Sequence, residues 1–322
     1  MPFNLIVPIA ADKPEWVDTA PYMFDLHPLG NLMVFESIRG LMLEEFDRIY
    51  ITILRKHDER FHLKPLLERQ FEVAGMFEKL RVVVLENPTR NQPETIAKTI
   101  EHEKIKGPIL IKDSDNYFEC SLEPTNNIAI FPLDALEKVN PSDKSYVAID
   151  DGFYITNIIE KKIISRYFCA GGYSFESAAI YMKFYRRFAH CDILYLSHII
   201  YGMLMDQLSF RPCQVSNYLD WGTQQEWREY CASYKTIFLA FEMLQTNKKE
   251  DFVRKIRRLY ESGTARLIII AGNNRLMQSD YQVCLAEAGI KYHEIITGVF
   301  PYNMHIISEE NQLNELKQKI ID

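Results

Sequence analysis

The sequence has no apolar run long enough to span a bilayer, and its start, MPFNLIVPIAADKPEW, lacks the basic-then-apolar plan of a secretory signal. Positive charge is also scarce: 37 Lys and Arg stand against 44 Asp and Glu, which gives a net charge of -7. Nucleic acids and anionic membranes attract basic surfaces. We therefore expect a cytoplasmic protein that binds neither nucleic acid nor membrane.

Closely spaced cysteines and histidine clusters are missing as well. The six cysteines are far apart and form no CxxC pair, and the eight histidines do not combine with a third ligand at metal-binding spacing. This pattern fits reduced thiols better than a disulfide framework or a zinc site. No Pro-, Gly- or Ser-rich linker and no low-complexity segment marks a boundary in the chain.

What the sequence does contain is an alternation of apolar and amphipathic segments. The strand-like segments NLIVPIAA, RIYITILRK, RVVVLE and GPILIKDSD are separated by helix-like MVFESIRGLMLEEF, KPLLERQFEVAGMFEKL and ETIAKTIEHEK. Fully apolar strands between helices are typical of a parallel sheet covered on both faces. Further on, KSYVAIDDGFYITNIIEKK predicts an antiparallel hairpin that turns at Asp151-Gly152. The sequence therefore predicts an α/β fold with a mixed, mostly parallel sheet.

A second alternation begins near Tyr234. KTIFLAFEM, ARLIIIAG, KYHEIIT and MHIISE have the composition of strands, and KEDFVRKIRRLYESG and SDYQVCLAEAG that of helices ended by glycine. We predict a first domain over residues 1–230 and a second, smaller α/β domain over residues 231–322.

Two aspartates stand one residue apart where an apolar strand ends, in ILIKDSDNYFE. Asp113 and Asp115 are suited either to capping a turn or to holding a metal ion. ILIKDSDNYF resembles the metal-binding strand end of the sugar-1-phosphate nucleotidyltransferases, and the resemblance extends from about residue 4 to 228. In the family's order, LIVPIAA resembles its first strand, ENPTRNQPET its base-pocket segment, NIIEKK its Glu-Lys motif, CAGGYSF its Gly-Ala-Tyr-Phe strand and YLDWGTQQEW its Asp-x-Gly-Thr segment.

The resemblance implies a Rossmann-like nucleotidyltransferase (GT-A-like) fold and a reaction between two anions. A sugar phosphate attacks the α-phosphate of a nucleoside triphosphate and releases pyrophosphate, with Mg²⁺ taking up charge. The partners implied are a nucleotide and a phosphorylated small molecule. By resemblance, the metal ligands are Asp115 and Asp220, which with Lys161 form the catalytic set; Ala10, Ala11, Gln92, Thr95 and Asp113 lie at the nucleotide; and Glu160, Lys161, Gly172 and Tyr173 lie at the sugar phosphate.

Several of these positions have a second interpretation. Glu160 and Lys161 are equally suited to a charged hairpin edge that deters sheet association. Gly172 and its neighbour Gly171 would serve a strand bulge as well as a close approach of sugar to backbone. Tyr173 is suited to the core, and Thr95 to an ordinary position early in a helix. These alternatives remain open at the level of sequence.

The segment after the first strand departs from the family pattern. The family has a Gly-rich loop with an arginine that cradles the triphosphate. Here the segment is AADKPEW, which places Ala11 and Lys13 at the two glycines and Glu15 at the arginine. A carboxylate repels phosphate, and a later family lysine is replaced by His27. The triphosphate side of the predicted site is therefore altered.

Residues from about 234 to 322 resemble the core of the haloacid dehalogenase-like phosphatases. In that family an aspartate attacks phosphate, and a second acid follows two residues later; here these positions are Ala240 and Glu242. Covalent phosphoryl transfer of this class requires a carboxylate nucleophile, which alanine cannot supply. We therefore predict no phosphatase activity. The other motif positions fall near Ala271, Val299 or Phe300, and Glu309 with Glu310.

The leading functional hypothesis is a nucleotidyltransferase that makes a nucleotide-activated sugar for surface (capsular) polysaccharide. One alternative is a catalytically inactive scaffold or regulatory pseudoenzyme that retains a sugar-nucleotide pocket. Another is a metal-dependent glycosyltransferase of the GT-A type, which also uses Asp-x-Asp and needs no triphosphate loop. A role of the second domain in docking, dimerisation or ligand binding, and with it a homo-oligomer, is left open.

Overall fold

The computed structural model describes residues 3–136, 144–246, 250–271, 278–297 and 306–307. The chain divides into two compact units, Met1–Gln224 and Gln225–Asp322. The predicted boundary at residues 230 and 231 falls within the same helix as this division, because α7 covers Gln224–Ser233. In the described ranges, no helix has both the length and the apolar character that crossing a membrane requires.

The first unit is built from short strands and helices that alternate over most of its length. Its strands are β1 (Asn4–Ile9), β2 (Arg48–Leu54), β3 (Leu80–Leu85), β4 (Ile109–Lys112), β5 (Asn116–Glu119), β6 (Asn127–Pro132), β7 (Ser145–Ile149), β8 (Ile155–Glu160), β9 (Tyr167–Phe175), β10 (Arg211–Gln214) and β11 (Ser216–Asp220). Its helices are α1 (Met33–Arg39), α2 (Arg55–Phe61), α3 (Leu63–Val73), α4 (Gln92–Glu103), α5 (Ala178–Phe188) and α6 (Leu196–Met205).

Within the described residues, nine of these strands form one sheet with the order β10-β6-β9-β4-β1-β2-β3, to which β7 and β8 are added beside β9. Neighbouring strands from β4 to β3 are parallel, as are β10 and β6, whereas β9 runs antiparallel to both β4 and β6. The inner strands are apolar and buried, as expected for a sheet covered on both faces. The predicted mixed, mostly parallel α/β fold is confirmed.

The predicted hairpin is formed by β7 and β8, which pair antiparallel from Ser145↔Glu160 to Ile149↔Ile155. The connection is longer than a two-residue turn and is held by Asp150, whose Oδ1 accepts from the backbone N–H groups of Gly152 (3.0 Å) and Tyr154 (2.9 Å).

Several helices are shorter than the periodicity predicts. The segment from Met33 to Phe46 is α-helical only to Arg39. The next residue, Gly40, lies against β5, where a Cβ would be 2.0 Å from the carbonyl oxygen of Phe118. Only a chain without a side chain at this point brings α1 against β5. The predicted strand RIYITILRK also ends early, since α2 begins at Arg55.

A separate two-stranded ribbon of β5 and β11 lies beside the large sheet in the chain's first unit. Its antiparallel register pairs Asp220 with Asn116 and Ser216 with Glu119. The ribbon therefore has two ends, one at the residues that follow β4 and one at the residues that lead to β6. The first of these ends carries the predicted metal ligands.

The second unit is a smaller parallel sheet with its own apolar core. Its described strands, in the order β14-β13-β12-β15, are all parallel: β12 (Lys235–Ala240), β13 (Ala265–Ala271), β14 (Glu294–Thr297) and β15 (Ile306–Ile307). Its helices are α8 (Phe241–Thr246), α9 (Glu250–Glu261) and α10 (Gln278–Glu287). The core includes the fully buried Leu239, Phe252 and Ile269.

Candidate functional site

A buried lysine organises the turn after β4. Lys112 has no exposed surface, and its Nζ donates to the carbonyl oxygens of Asp113 (2.8 Å) and Asn116 (3.0 Å) and to Oδ1 of Asn116 (2.5 Å). Burial lowers the pKa of Lys112 to about 8, against the opposing effect of Asp113 and Asp115. Because the ammonium ties both ends of the turn together, the orientation of the two aspartates depends on it.

The carboxylate of Asp113 is enclosed by two elements of the first unit. Its Oδ1 accepts from Nε2 of Gln92 (2.5 Å) at the start of α4, and its backbone N–H donates to the carbonyl of Gly171 in β9 (2.8 Å). Burial and the charge of Asp115 raise the pKa of Asp113 to about 6, and Lys112 partly offsets this. The structure thus brings together two of the predicted nucleotide-site residues, Gln92 and Asp113.

The ribbon brings Asp115 and Asp220 to neighbouring positions. Asp220 is paired with Asn116, and the N–H of Trp221 donates to the carbonyl of Asp115 (2.9 Å). Burial raises the pKa of Asp115, and the charge of Asp220 raises it further while Lys112 and Lys144 lower it. Two carboxylates that are distant in sequence therefore repel each other at one end of the ribbon.

A lysine that the sequence interpretation did not single out contacts this pair. The ammonium of Lys144 forms an ion pair with Oδ2 of Asp220 and lies 3.1 Å from the hydroxyl of Tyr218. Burial lowers the pKa of Lys144, but Tyr218 and Asp220 together raise it above its ordinary value. The other oxygen of Asp220, Oδ1, accepts from the N–H of Gly222 (3.2 Å).

The predicted Glu-Lys motif is joined to the same lysine. Glu160 Oε2 accepts from the hydroxyls of Ser145 and Ser197, the latter at 2.7 Å. The N–H of Lys161 donates to the carbonyl of Lys144 (2.9 Å), and the backbone of Lys161 has φ 57, in the left-handed region. Lys144 and Ser145 therefore connect the Asp220 carboxylate to the predicted sugar-phosphate residues.

The two glycines of CAGGYSF have different roles. A Cβ at Gly171, which has φ +85, would lie 2.5 Å from Nδ2 of Asn116 and 2.6 Å from Oδ2 of Asp113. At Gly172 a Cβ would instead meet apolar side chains, including Phe118 at 2.8 Å. The glycine that borders the carboxylates is thus Gly171, whereas the predicted Gly172 lies against the core. Tyr173 is 7% exposed and belongs to that core. Burial raises the pKa of Tyr173, and the charges of neighbouring groups raise it further.

The remaining predicted nucleotide residues lie at the end of β1. The carbonyl of Ala10 accepts from the N–H and the hydroxyl of Thr89, both at 3.2 Å, and Ala11 is exposed. Thr95 is 2% exposed, and its hydroxyl lies 2.6 Å from that of Thr89. The hydroxyl of Thr95 is therefore engaged within the protein.

The altered loop after β1 is fastened to α2. Asp12 forms an ion pair with Lys56, and Trp16 is buried with its ring 6.1 Å from that of His57. Lys13, at one of the family's glycine positions, places its ammonium 4.9 Å from the Trp16 ring. His27 is buried, and its Nδ1 accepts from the N–H of Leu29 (3.0 Å).

Lys112 and Lys144–Ser145 are the residues that motif reasoning missed, and of these Lys112 left a signal in the sequence. Lys112 is the one charged residue in the otherwise apolar ILIK, and a lysine is rarely fully buried unless its ammonium is paired. Counting outward from a two-residue turn at Asp151-Gly152 would pair Ser145 with Ile158, whereas the longer connection and the register shift beside Ile149 pair it with Glu160.

In the second unit, the positions predicted for phosphatase motifs lie at the carboxyl ends of neighbouring strands. Ala240 ends β12 opposite Ile270, and Ala271 ends β13 opposite Thr297. Glu242 lies in α8 and is exposed. The positions at Val299, Phe300, Glu309 and Glu310 lie outside the described residues. The likeness of this unit to dehalogenase-like phosphatases stays a prediction.

No protein-family model matches the chain, and no curated protein matches it. Solved structures do. The chain is similar to the nucleoside-diphosphate-sugar pyrophosphorylase from Vibrio cholerae RC9, with 15% identity, a TM-score of 0.57, and coverage of 71% of this chain and 99% of that one. It is also similar to the inositol-1-phosphate CTP transferase from T. maritima (14% identity, TM-score 0.54, 70% of this chain and 91% of that one).

A third similar structure is a UDP-glucose pyrophosphorylase complexed with UDP-glucose, at 13% identity and a TM-score of 0.51, with coverage of 71% of this chain and 97% of that one. The chain has a nucleotidyltransferase fold. At these identities the likeness establishes the architecture alone. Within the nucleotidyltransferase fold, the aspartates of the ribbon lie where the carboxyl end of β4 meets β11.

Proposed function

We propose that this chain transfers a nucleoside monophosphate from a nucleoside triphosphate to a sugar phosphate or a similar phosphorylated metabolite. The observation that supports this most is the ribbon, which sets Asp115 beside Asp220 in a nucleotidyltransferase fold. In the reaction, an acceptor phosphate oxygen bonds to the α-phosphorus, and the bond to the leaving pyrophosphate breaks. A place for the product in surface polysaccharide synthesis stays a prediction.

The side chains at the ribbon suit a magnesium ion. The candidate protein ligands are the two carboxylates of Asp115 and Asp220, and the described ranges contain no group of three or more His, Cys, Asp or Glu that could hold a metal ion. Mg²⁺ is commonly held by one or two carboxylates together with water and substrate phosphate. Because Lys144 pairs with Oδ2 of Asp220, bound Mg²⁺ would share this carboxylate with the ammonium. Bound Mg²⁺ would neutralise charge on the reacting phosphates.

The chain's own residues would do the positioning. Lys112 holds the turn from Asp113 to Asn116, so that Asp115 is presented without rearrangement. Lys144 supplies a fixed positive charge beside Asp220, and its backbone carbonyl holds Lys161, whose ammonium is the candidate partner for the acceptor phosphate. Glu160, oriented by two serine hydroxyls, is the candidate acceptor of hydrogen bonds from sugar hydroxyls.

The loop after β1 supports a second candidate function. Pro14 removes a backbone donor, and Glu15 adds a negative charge where the family binds triphosphate. A metal-dependent glycosyltransferase of the GT-A type would bind a nucleoside diphosphate sugar and would not need that loop. The two functions differ in the nucleotide that they bind.

A thermal-shift titration separates these functions. The full chain is titrated with each nucleoside triphosphate and with nucleotide sugars, with Mg²⁺ and with EDTA, because a ligand that binds only the folded state raises its stability. We expect a Mg²⁺-dependent rise with a triphosphate, followed by pyrophosphate release when a matching sugar 1-phosphate is added.

The other outcomes exclude the proposal in distinct ways. A rise with nucleotide sugars alone, together with transfer or hydrolysis of the sugar, would favour the glycosyltransferase. No rise with any nucleotide would leave an inactive scaffold. A rise that EDTA does not abolish would refute the role given to Mg²⁺.

A further inference from the structure

Two thiols meet at the other end of the ribbon. Sγ of Cys120, which directly follows β5, lies 2.9 Å from Sγ of Cys213 in β10. A disulfide requires an S–S distance of about 2.05 Å, so closure by about 1 Å would join them. Both residues are partly exposed, and their neighbours Glu119 and Gln214 are exposed, so the pair lies near the protein surface.

Each sulfur is attached to a well-fixed backbone. The N–H of Cys120 donates to the carbonyl of Gly40 (3.2 Å), and Cys120 forms a parallel bridge with Leu41. Cys213 lies in β10, the edge strand of the nine-stranded sheet, where it is paired with Ala129. A bond between the sulfurs would therefore join the ribbon to the large sheet, in addition to the backbone connection through Val215.

The contact makes the two thiols chemically unequal. The hydrogen bond from Cys120 lowers the pKa of Cys213 against the opposing effect of burial, and the same contact with Cys213, together with burial, raises the pKa of Cys120. The thiolate is the nucleophile in thiol oxidation. Cys213 is therefore the sulfur that reacts first, and Cys120 the one that resolves the product.

We propose that Cys120 and Cys213 form an oxidation site that takes a hydroperoxide and closes to a disulfide across the base of the ribbon. In the first step Sγ of Cys213 bonds to the terminal peroxide oxygen, the O–O bond breaks, and water or an alcohol leaves, which gives a sulfenic acid. In the second step Sγ of Cys120 attacks Sγ of Cys213, the S–O bond breaks, and water leaves. The two sulfurs lose two electrons, which the peroxide gains.

The site is tested by treating the reduced full chain with hydrogen peroxide under conditions that keep it folded. Non-reducing peptide mapping by mass spectrometry should show one linked peptide pair containing Cys120 and Cys213, and an intact-mass loss of about 2 Da that dithiothreitol reverses. The exposed Cys284 serves as the internal reference thiol. We expect the linked pair to appear before Cys284 is modified.

Two variants distinguish the roles of the sulfurs. In Cys120→Ser, Cys213 should accumulate as a sulfenic acid that dimedone traps; in Cys213→Ser, Cys120 should stay reduced. If Cys284 of the unmodified chain is oxidised and no linked peptide pair appears, the proposal is wrong, whatever the variants show. Linkage of Cys120 or Cys213 mainly to other cysteines would also overturn it. None of these readouts depends on the proposed nucleotidyl transfer.

Discussion

The carboxyl ends of β1 and β4 lie side by side, because the two strands are parallel neighbours in the sheet, yet the segments that follow them are stabilised differently. After β4, a fully buried ammonium at Lys112 satisfies three oxygens of the following turn. After β1, the loop is held by the buried Trp16 and by ion pairs whose side chains are partly in solvent, such as Lys56 with Asp12 at 48% and 34% exposure. The first arrangement fixes carboxylates in place, and the second fixes only the loop.

This difference indicates which part of a nucleotidyltransferase fold tolerates change. A network of buried polar groups depends on every member, since an unsatisfied buried group costs free energy that water would otherwise recover. An exposed ion pair contributes little and can be replaced. We therefore expect substitutions to be tolerated better in the loop after β1 than in the turn that holds Asp113 and Asp115.

The largest expected effect comes from the carboxylate itself. Asp115→Asn keeps the size of the side chain but removes a charge. Mg²⁺-dependent nucleotide binding and any transfer activity should therefore fall at least about 100-fold, which is more than the loss expected when a group that only orients a metal ligand is altered. The matched control is Asp134→Asn, which removes the charge of an exposed aspartate that pairs with Arg166. Equal behaviour of the two variants in the thermal-shift titration would refute the metal-ligand assignment.

The buried lysine should show its importance in stability. Lys112→Met keeps the length of the side chain but leaves the oxygens of Asp113 and Asn116 without their donor, and we expect a loss of about 2–4 kcal/mol. The control Lys183→Met replaces an exposed lysine on α5 and should change stability by less than about 0.5 kcal/mol. Urea unfolding measures both, and a Lys112 variant as stable as the control would show that the turn does not rely on the ammonium.

Much of this fold follows from the sequence, because its apolar strands and glycine stops are local signals. The turn signal at Asp151-Gly152 predicts that β7 and β8 form a hairpin, and periodicity predicts the order of strand and helix segments. The hairpin's register is not predicted, because the connection is longer than two residues and the pairing shifts beside Ile149. The end of α1 at Arg39 was not predicted, and neither was the close contact of Gly40 with Phe118, which is more than seventy residues away in the sequence.

The candidate site was only partly predictable for the same reason. Motif order identified Asp115 and Asp220, whose adjacency the ribbon then provides. It did not identify Lys144, because an ion pair between residues 76 positions apart leaves no local pattern in the sequence. Motif order also favoured Gly172, whereas the neighbour with positive φ, Gly171, borders the carboxylates, a distinction that depends on which face of β9 meets Asp113.

Two glycines allow strain to be separated from contact. Gly171 and Gly30 both have positive φ (85 and 92), but a Cβ at Gly30 has nothing within 4 Å, whereas one at Gly171 would meet Asn116 and Asp113. Gly30→Ala should therefore cost about 1–2 kcal/mol through backbone strain alone. Gly171→Ala should cost about 1–3 kcal/mol more, because the added methyl group overpacks the site.

Unfolding of the two alanine variants in parallel measures the difference. Gly171→Ala should in addition weaken Mg²⁺-dependent nucleotide binding, and Gly30→Ala should not. If the two variants lose the same stability, the space beside Asp113 is not filled as the structure indicates.

The smallest expected effect belongs to the loop after β1 and depends on pH. Burial, and to a lesser degree Lys56, lowers the pKa of His57 below its ordinary value of 6.5, while Asp12 opposes them. The folded chain therefore binds a proton less readily than the unfolded chain, so stability is retained above pH 6.5 and is lost as the pH falls from there through the folded pKa. His57→Gln should flatten this part of the stability curve, whereas the exposed His190→Gln should leave it unchanged. If the stability curve of His57→Gln is as steep as that of the unmodified chain, other groups cause the pH dependence. The burial of Trp16 and His57 would then stabilise the loop without contributing to its pH dependence.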